Sequence, residues 1–353
     1  MQTHQILAGY ADGDAISNEA VLLRKIFRRW GHDSEIYVDP SRVSFRLKTD
    51  CRSLADYAAG ESDICLHHYG IASPAAEVFL ASPAKKIMVY HNITPAEYFT
   101  GFDDVVAAQL RAARGALRET ARRSDAVWAD SRFNAAELKA EGIDGVKVCP
   151  LLFASGRSDM PPDPLILEKF AGPLKNILAV GRIVPNKRVE DLIMAFAWYH
   201  RAINPFSRLI IVGSNRSAAR YYTMLRMLAG DLDLPNVCFE DFASPAGLLA
   251  YYRVANLFVS TSEHEGYCLP LVEAMNHGIP VIARIAGGTP EAMDAAGVLY
   301  EDLTPAELGA LFDRVLTDAA LRKELLTSQQ RRVQRAKDRN LEAEVQVLMA
   351  GML

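Results

Sequence analysis

Seven residues separate Glu265 from Glu273 in the stretch STSEHEGYCLPLVEAMNHGIPVIARIAGGTPE, residues 260–291. The first carboxylate falls in a tight polar loop, Glu263 to Cys268. The second is carried two turns into the helix that follows, so the two meet different parts of a ligand: Glu265 its reactive end, Glu273 a remoter part. A second group lies upstream in Gly181-Arg182-Ile183-Val184-Pro185-Asn186-Lys187-Arg188. Arg182 can fork onto phosphate oxygens and Lys187 can supply a compact point charge from the same loop. Such a pair suits negative charge that grows as an oxyanion departs. His91 is a third candidate, leaving a strand into the loop Asn92-Ile93-Thr94-Pro95, with His67 and His68 as weaker versions of the same idea.

These residues require particular elements to position them. Leu257 to Thr261 is an apolar, β-branched run of strand type. Pro270 falls where a first helical turn tolerates proline, Leu271, Val272, Ala274 and Met275 give that helix an apolar side, and Gly278 stops it. Pro280 to Ala283 reads as the next buried strand, and Gly287-Gly288 as a turn before a helix near Pro290. This is a βαβ unit, and in open parallel sheets ligands bind at the C-terminal ends of the strands. Earlier in the chain, strands are expected at Gln5 to Tyr10, Ser34 to Val38, Asp63 to His67, Lys86 to Tyr90, Ala126 to Ala129 and Val146 to Cys149. A second alternation places them at Asn176 to Val180, Arg208 to Val212, Val237 to Phe239 and Val298 to Tyr300, with a helix at Val189 to His200. The first strand runs into Ala11-Asp12-Gly13-Asp14-Ala15-Ile16-Ser17, where Asp14 or Ser17 caps the next helix and the glycine loop suits an anion. Asp12-x-Asp14 reads as turn and cap chemistry rather than a metal site. Ser131, in Asp130-Ser131-Arg132, serves equally as a helix cap or a ligand contact.

The residues around the two glutamates resemble the Glu-x7-Glu signature of the family-4 retaining glycosyltransferases (glycosyltransferase group 1). The resemblance is carried by Glu265-Gly266, Pro270, Glu273-Ala274-Met275, Gly278-x-Pro280-Val281 and Gly287-Gly288. The pattern Gly181-Arg182-x-x-Pro185-x-Lys187 resembles that family's diphosphate clamp. The implied fold is α/β of GT-B type, two Rossmann-like doubly wound domains facing across a cleft. The expected division is an acceptor-side domain over 1–155, a linker over 156–172 and a nucleotide-sugar domain over 173–353, whose last helix is free to pack back on the first domain. The resemblance implies transfer of a hexosyl-type group, with retention, from a GDP- or UDP-sugar to a glycan or lipid-linked glycan. Arg182, Lys187 and helix-end amides near Cys268 and Leu269 would meet the leaving charge. Glu265 and His91 would hold the sugar and Glu273 the ribose, while Gly13, Asp14, Gly181, Gly213, Gly266 and Tyr267 complete the donor site. Neither a metal nor a cofactor beyond the donor is expected. A sugar-nucleotide epimerase and an inactive nucleotide-sugar-binding subunit share the same features.

Composition bounds the rest. With 353 residues, half of them hydrophobic, the chain can build two domain cores. A net charge of −4 gives no footprint for nucleic acid. Five cysteines without a C-x-x-C pair are expected to be buried free thiols of a reducing compartment. No signal peptide and no apolar run of membrane-spanning length is present, so a cytoplasmic protein is expected. Peripheral contact with an anionic membrane stays open through Arg24, Lys25, Arg28 and Arg29 and through Arg111, Arg114, Arg118, Arg122 and Arg123. The plainer reading is solvated helix faces.

Overall fold

Both sheets are parallel throughout the described residues, the strands within each sheet being joined by crossover connections. The computed structural model describes residues 1–151, 160–241 and 243–352, so residues 156–159 of the expected linker, and Phe242, lie outside the described residues. Two compact units result. The first is Met1–Glu97, Val105–Ala154 and Arg339–Leu353, and the second is Tyr98–Asp104 and Ser155–Asp338.

The first unit runs β1 (Thr3–Leu7), α1 (Ala15–Arg29), β2 (Ile36–Val38), β3 (Arg52–Ser53), β4 (Ile64–Tyr69), α2 (Pro74–Ala81), β5 (Lys85–Tyr90) and α3 (Asp104–Arg122). It continues through β6 (Ala126–Ala129), α4 (Arg132–Ala140) and β7 (Lys147–Val148), with strand order β3-β2-β1-β4-β5-β6-β7. β1 starts two residues before the expected Gln5. Thr3, His4 and Gln5 are polar yet buried, each with an internal hydrogen bond, so a search for hydrophobic runs passes over them. β3 was not expected either, since two polar residues at a sheet edge carry no periodicity.

The second unit runs α5 (Pro164–Lys169), β8 (Lys175–Val180), α6 (Val189–Ala202), β9 (Ser207–Val212), α7 (Ala219–Asp231), β10 (Val237–Glu240) and α8 (Pro245–Val254). β11 (Leu257–Ser260), α9 (Leu269–Asn276), β12 (Val281–Arg284), α10 (Thr289–Met293), β13 (Val298–Tyr300), α11 (Pro305–Thr317) and α12 (Ala319–Lys337) follow. The strand order is β10-β9-β8-β11-β12-β13. Pro280 has no N–H to offer at the start of β12, and Gln329 of α12 compensates. Its amide donates to Ile279 O at 2.7 Å and accepts from Val281 N at 3.0 Å.

The last helix, α13 (Leu341–Leu348), packs in the first unit. Val345, Leu348 and Met349 share one apolar cluster with Phe27 of α1, Ile87 of β5 and Trp128 of β6. Lys85 and Lys147 donate to the carbonyl oxygens of Met352 and Leu348 at 2.9 Å each, which places positive charge on the negative end of the helix. At its other end Glu342 accepts from Arg29 and from Trp30 Nε1.

Candidate active site

In the second unit the strand order reverses between β8 and β11, so the loops leaving these two neighbours diverge and open a crevice at their C-terminal ends. The loop after β8 carries Arg182 and Lys187, and the loop after β11 carries Glu265. Near their bases the two loops are joined by one backbone hydrogen bond and two from side chains to backbone. Glu263 N donates to Asn186 O at 2.9 Å, Asn186 Nδ2 to His264 O at 3.1 Å, and Thr261 Oγ1 to Arg188 O at 2.9 Å.

Two glycine contacts hold neighbouring loops against this pair. A Cβ on Gly213, just past β9, would lie 1.7 Å from the carbonyl oxygen of Gly181. A Cβ on Gly288 would lie 2.0 Å from that of Gly266. Gly213 therefore has a packing role beside any contact with a base, and the Gly287-Gly288 turn sets the height of the Glu265 loop through Gly288 N, which donates to Glu265 O at 2.9 Å.

Of the sequence-predicted residues, Gly181, Arg182, Lys187, Glu265 and Cys268 line one cavity at this crevice, whereas Gly213, Gly266, Tyr267, Leu269 and Glu273 do not line it. Lys187 Nζ donates to Glu265 Oε1 at 2.5 Å. Burial alone would push the Glu265 carboxyl up, but the Lys187 ammonium and donors on Ser262 and Cys268 override it and hold the group below the usual carboxylate range. Glu265 is thus an anion fixed at the crevice. Arg182 is exposed and, among the described residues, forms no ion pair. Cys268 is the N-cap of α9 and adopts φ 74°, a left-handed conformation that favours glycine. Burial, then the Glu265 charge, pushes its thiol well up, so it stays a neutral thiol.

Glu273 sits apart, on α9, where it accepts from the hydroxyl of the buried Tyr252 at 2.9 Å. The Tyr252 ring in turn stacks on His277, centroids 5.0 Å apart. Tyr267 turns toward α12, and its hydroxyl accepts from Arg332 Nη2 at 2.8 Å. Arg332 is 7% exposed and also donates to Ala292 O at 2.9 Å, so it ties the Glu265 loop to the body of the unit. Neither Arg332, Tyr252 nor Gln329 was expected from the sequence. Each lies on a helix far along the chain in a stretch with no motif spacing, and only the fold brings it near.

In the first unit, Asp14 is the cap of α1, its carboxylate accepting from Ser17 N at 2.9 Å, and Gly13 takes φ 74° in the turn before it. Asp12 accepts from Ser44 Oγ at 3.1 Å, in keeping with turn chemistry. Ser131 caps α4 through Asn134 N. His91, just past β5, bonds Asp130 Oδ2 through Nδ1 at 2.9 Å and His68 Nδ1 through Nε2 at 2.7 Å. Among the described residues, ligand atoms of Glu19, His68 and His91 come within 4.8 Å of one another. The nitrogens that face each other, His68 Nδ1 and His91 Nε2, stand 4.0 and 3.7 Å from Glu19 Oε2.

The arginines weighed for a membrane face are largely paired. Arg24 is buried and reaches Asp50 at 2.7 Å, and Arg28, Arg29, Arg114, Arg118 and Arg123 each meet a glutamate. Leu23, Ile26 and Phe27 of α1 lie in the core. No helix of the described residues is long and apolar enough to cross a membrane. Cys65, Cys149 and Cys268 are buried free thiols, while Cys51 and Cys238 are only half-buried, a departure from the expectation.

Residues 168–348, just over half of the chain, match the family model described as glycosyl transferases group 1. The chain is 32% identical over 157 residues to a D-inositol 3-phosphate glycosyltransferase of Acidothermus cellulolyticus, an alignment covering 42% of this chain and 35% of that protein. The alignments span between about a fifth and about a third of the length of the curated relatives the chain matches. Among solved structures, sucrose-phosphate synthase from Thermosynechococcus elongatus superposes with a TM-score of 0.78 at 18% identity, over 100% of this chain and 99% of the other. Anabaena HepE, solved in complex with UDP-glucose, gives 0.74 at 19%, over 99% and 100%. At such identities the likeness speaks for the fold, which is GT-B. The match across the clamp and both glutamates settles the family: this chain belongs to the group 1 glycosyl transferases.

Proposed function

We propose that the protein transfers a hexosyl group, with retention at the anomeric carbon, from a UDP- or GDP-sugar to a glycan or lipid-linked glycan. One observation carries this reading: a cation pair and a fixed carboxylate, Arg182, Lys187 and Glu265, line a single cavity at the point where the strand order reverses. A nucleotide sugar offers what such a site complements, namely a diphosphate that gains charge as the sugar leaves and hydroxyls that a carboxylate can accept from. Arg182 and Lys187 are assigned to the diphosphate, with amides at the start of α9 beside them. Glu265 is assigned to the sugar and Glu273, from its separate position on α9, to the ribose. Retention then follows from attack on the face the diphosphate leaves, with the departing phosphate oxygen taking the acceptor's proton. No metal is assigned, since the clamp supplies the positive charge.

A lipid-linked acceptor at an anionic membrane gains little from the arginines of α1 and α3, because five of them already pair with carboxylates of the chain. A thermal-shift series with UDP, GDP and their sugars tests the reading, because a ligand that binds only the native state raises its stability by mass action. The expected outcome is a rise with one nucleotide family, followed by transfer to an added glycan. No shift with any nucleotide overturns it, binding with epimerisation of the donor alone identifies an epimerase, and binding without turnover identifies a binding subunit.

A further inference from the structure

A chain of hydrogen bonds crosses the first unit from α1 to the end of β6. Gln5 Nε2 donates to Ala20 O at 2.8 Å, and a backbone carbonyl only accepts, so the orientation of this amide is fixed. Gln5 Oε1 therefore faces His68 Nε2, 2.9 Å away, as an acceptor, and that nitrogen must carry hydrogen. On the other side of the ring, His68 Nδ1 lies 2.7 Å from His91 Nε2, and His91 Nδ1 lies 2.9 Å from Asp130 Oδ2. The two rings are inclined by only 8° with centroids 5.0 Å apart. That separation is close to the N···N distance plus two ring radii, so the imidazoles meet edge to edge along the hydrogen bond rather than face to face.

Proton counting then fixes the charge of the pair. Two bare nitrogens repel at this distance, so a proton lies between them. The Asp130 carboxylate accepts, so His91 Nδ1 carries another, and His68 Nε2 carries the third. Three protons on four ring nitrogens give one positive charge. That charge belongs to His91. Asp130 touches its ring, Glu19 Oε2 lies 3.7 Å from Nε2, and Asp14 adds a further negative field, whereas His68 faces the neutral Gln5 amide and stands 4.0 Å from Glu19. An imidazole is also the stronger base by more than about two pK units, so the proton does not move to Asp130.

We propose that His91 is a permanent imidazolium whose charge state is set by His68 and, behind it, Gln5, and that it acts as a fixed cation and anchor rather than as a base. His68 and Gln5 are positioning residues in this account. The electrostatics agree: burial pulls the His91 ring down, but Asp130, Glu19 and Asp14 raise it to about 9. Burial, then the His91 charge, holds His68 well below the usual histidine range, and His67, its neighbour on β4, is lowered to about 4. The anchored turn is a demanding one. Asn92 takes φ 72° and donates to Asn134 Oδ1 at 2.9 Å, and a Cβ on Gly70 would come within 3.1 Å of Asn92 O. With both ring nitrogens spent inside the unit, His91 has no lone pair for an acceptor's proton. That last consequence rests on the proposed transferase reading and leaves the departing diphosphate as the proton acceptor.

Long-range ¹H–¹⁵N spectra of the eight histidine rings, recorded on the full ¹⁵N-labelled chain, test the charge state without any substrate. At pH 7 one ring should show both nitrogens protonated, and its signal should vanish in His91→Gln. A His91 ring with one bare nitrogen at pH 7 overturns the proposal, whatever the protein's activity. His68→Asn keeps an acceptor near the Nδ1 position and should leave the His91 midpoint near 9, while His68→Leu, which removes that acceptor but keeps Asp130, Glu19 and Asp14, should lower it. Equal midpoints in the folded Asn and Leu variants would contradict the role given to His68. If the Leu variant does not fold, the wild-type spectrum still decides the charge.

Discussion

Lys187 Nζ and Glu265 Oε1 approach to 2.5 Å, and this contact joins the loop after β8 to the loop after β11 across the reversal in strand order. It gives Lys187 two tasks where Arg182 has one. Alanine at either position should lower turnover by on the order of 100-fold, roughly 3 kcal/mol of leaving-group stabilisation. Only Lys187→Ala should also lower the melting temperature, since it strands the buried Glu265 carboxylate at a cost of about 1–3 kcal/mol. Steady-state kinetics beside calorimetric melting checks both, and equal melting temperatures for the two variants would show that the ion pair is not structural.

Replacing Gly213 or Gly288 by alanine places a methyl group against a backbone carbonyl that cannot withdraw cheaply. Both variants should lose several degrees of thermal stability. Gly288→Ala should also depress transfer more than it depresses binding of free nucleoside diphosphate, because it displaces the Glu265 loop. Gly213→Ala with wild-type melting would leave only a ligand-contact role for that residue.

The two glutamates should separate in calorimetry. Glu273→Ala is expected to weaken UDP or GDP binding, and Tyr252→Phe, which removes the hydroxyl that orients Glu273, to weaken it by a smaller factor. Glu265→Gln should leave nucleotide affinity within a few-fold and remove transfer. Equal loss of affinity in the Glu265 and Glu273 variants would contradict the division of tasks.

Much of this was readable in the chain itself. Strand after strand was visible as an apolar, β-branched run, and Ala126–Ala129 and Val298–Tyr300 were placed to the residue. That Arg182, Lys187 and Glu265 would meet at one strand edge was legible because the spacing within each loop is set by local turns. What escaped has a common physical cause. β1 begins in polar residues whose partners, Ala20 and His32, are distant in sequence. Arg332 reaches the Glu265 loop from α12, 65 positions away. Gly213 looked like a ligand turn, and only the fold brings it down onto Gly181. The His68–His91 pair also required the register of β4 against β5 to be known.

Stability should vary with pH in a way that reports these histidines. His91 has its folded value raised to about 9, so its contribution is complete below 6.5 and is lost as pH rises toward 9. His67 and His277, each lowered to about 4 chiefly by burial, act oppositely: the unfolded chain takes up protons below 6.5 and the fold weakens as pH falls toward 4. Denaturation midpoints should therefore peak near 6.5, and His91→Gln should flatten the limb between 6.5 and 9. A limb of unchanged slope in that variant would remove His91 as its source.

The most direct test of the transferase reading is ¹H NMR of the anomeric proton during turnover of α-configured UDP- and GDP-sugars with a glycan acceptor. A new α-anomeric signal should grow with release of the nucleoside diphosphate, and Glu265→Gln should abolish it. A β-anomeric product would contradict retention, and a donor left unchanged by the wild-type protein across the whole acceptor series would contradict the transferase assignment itself.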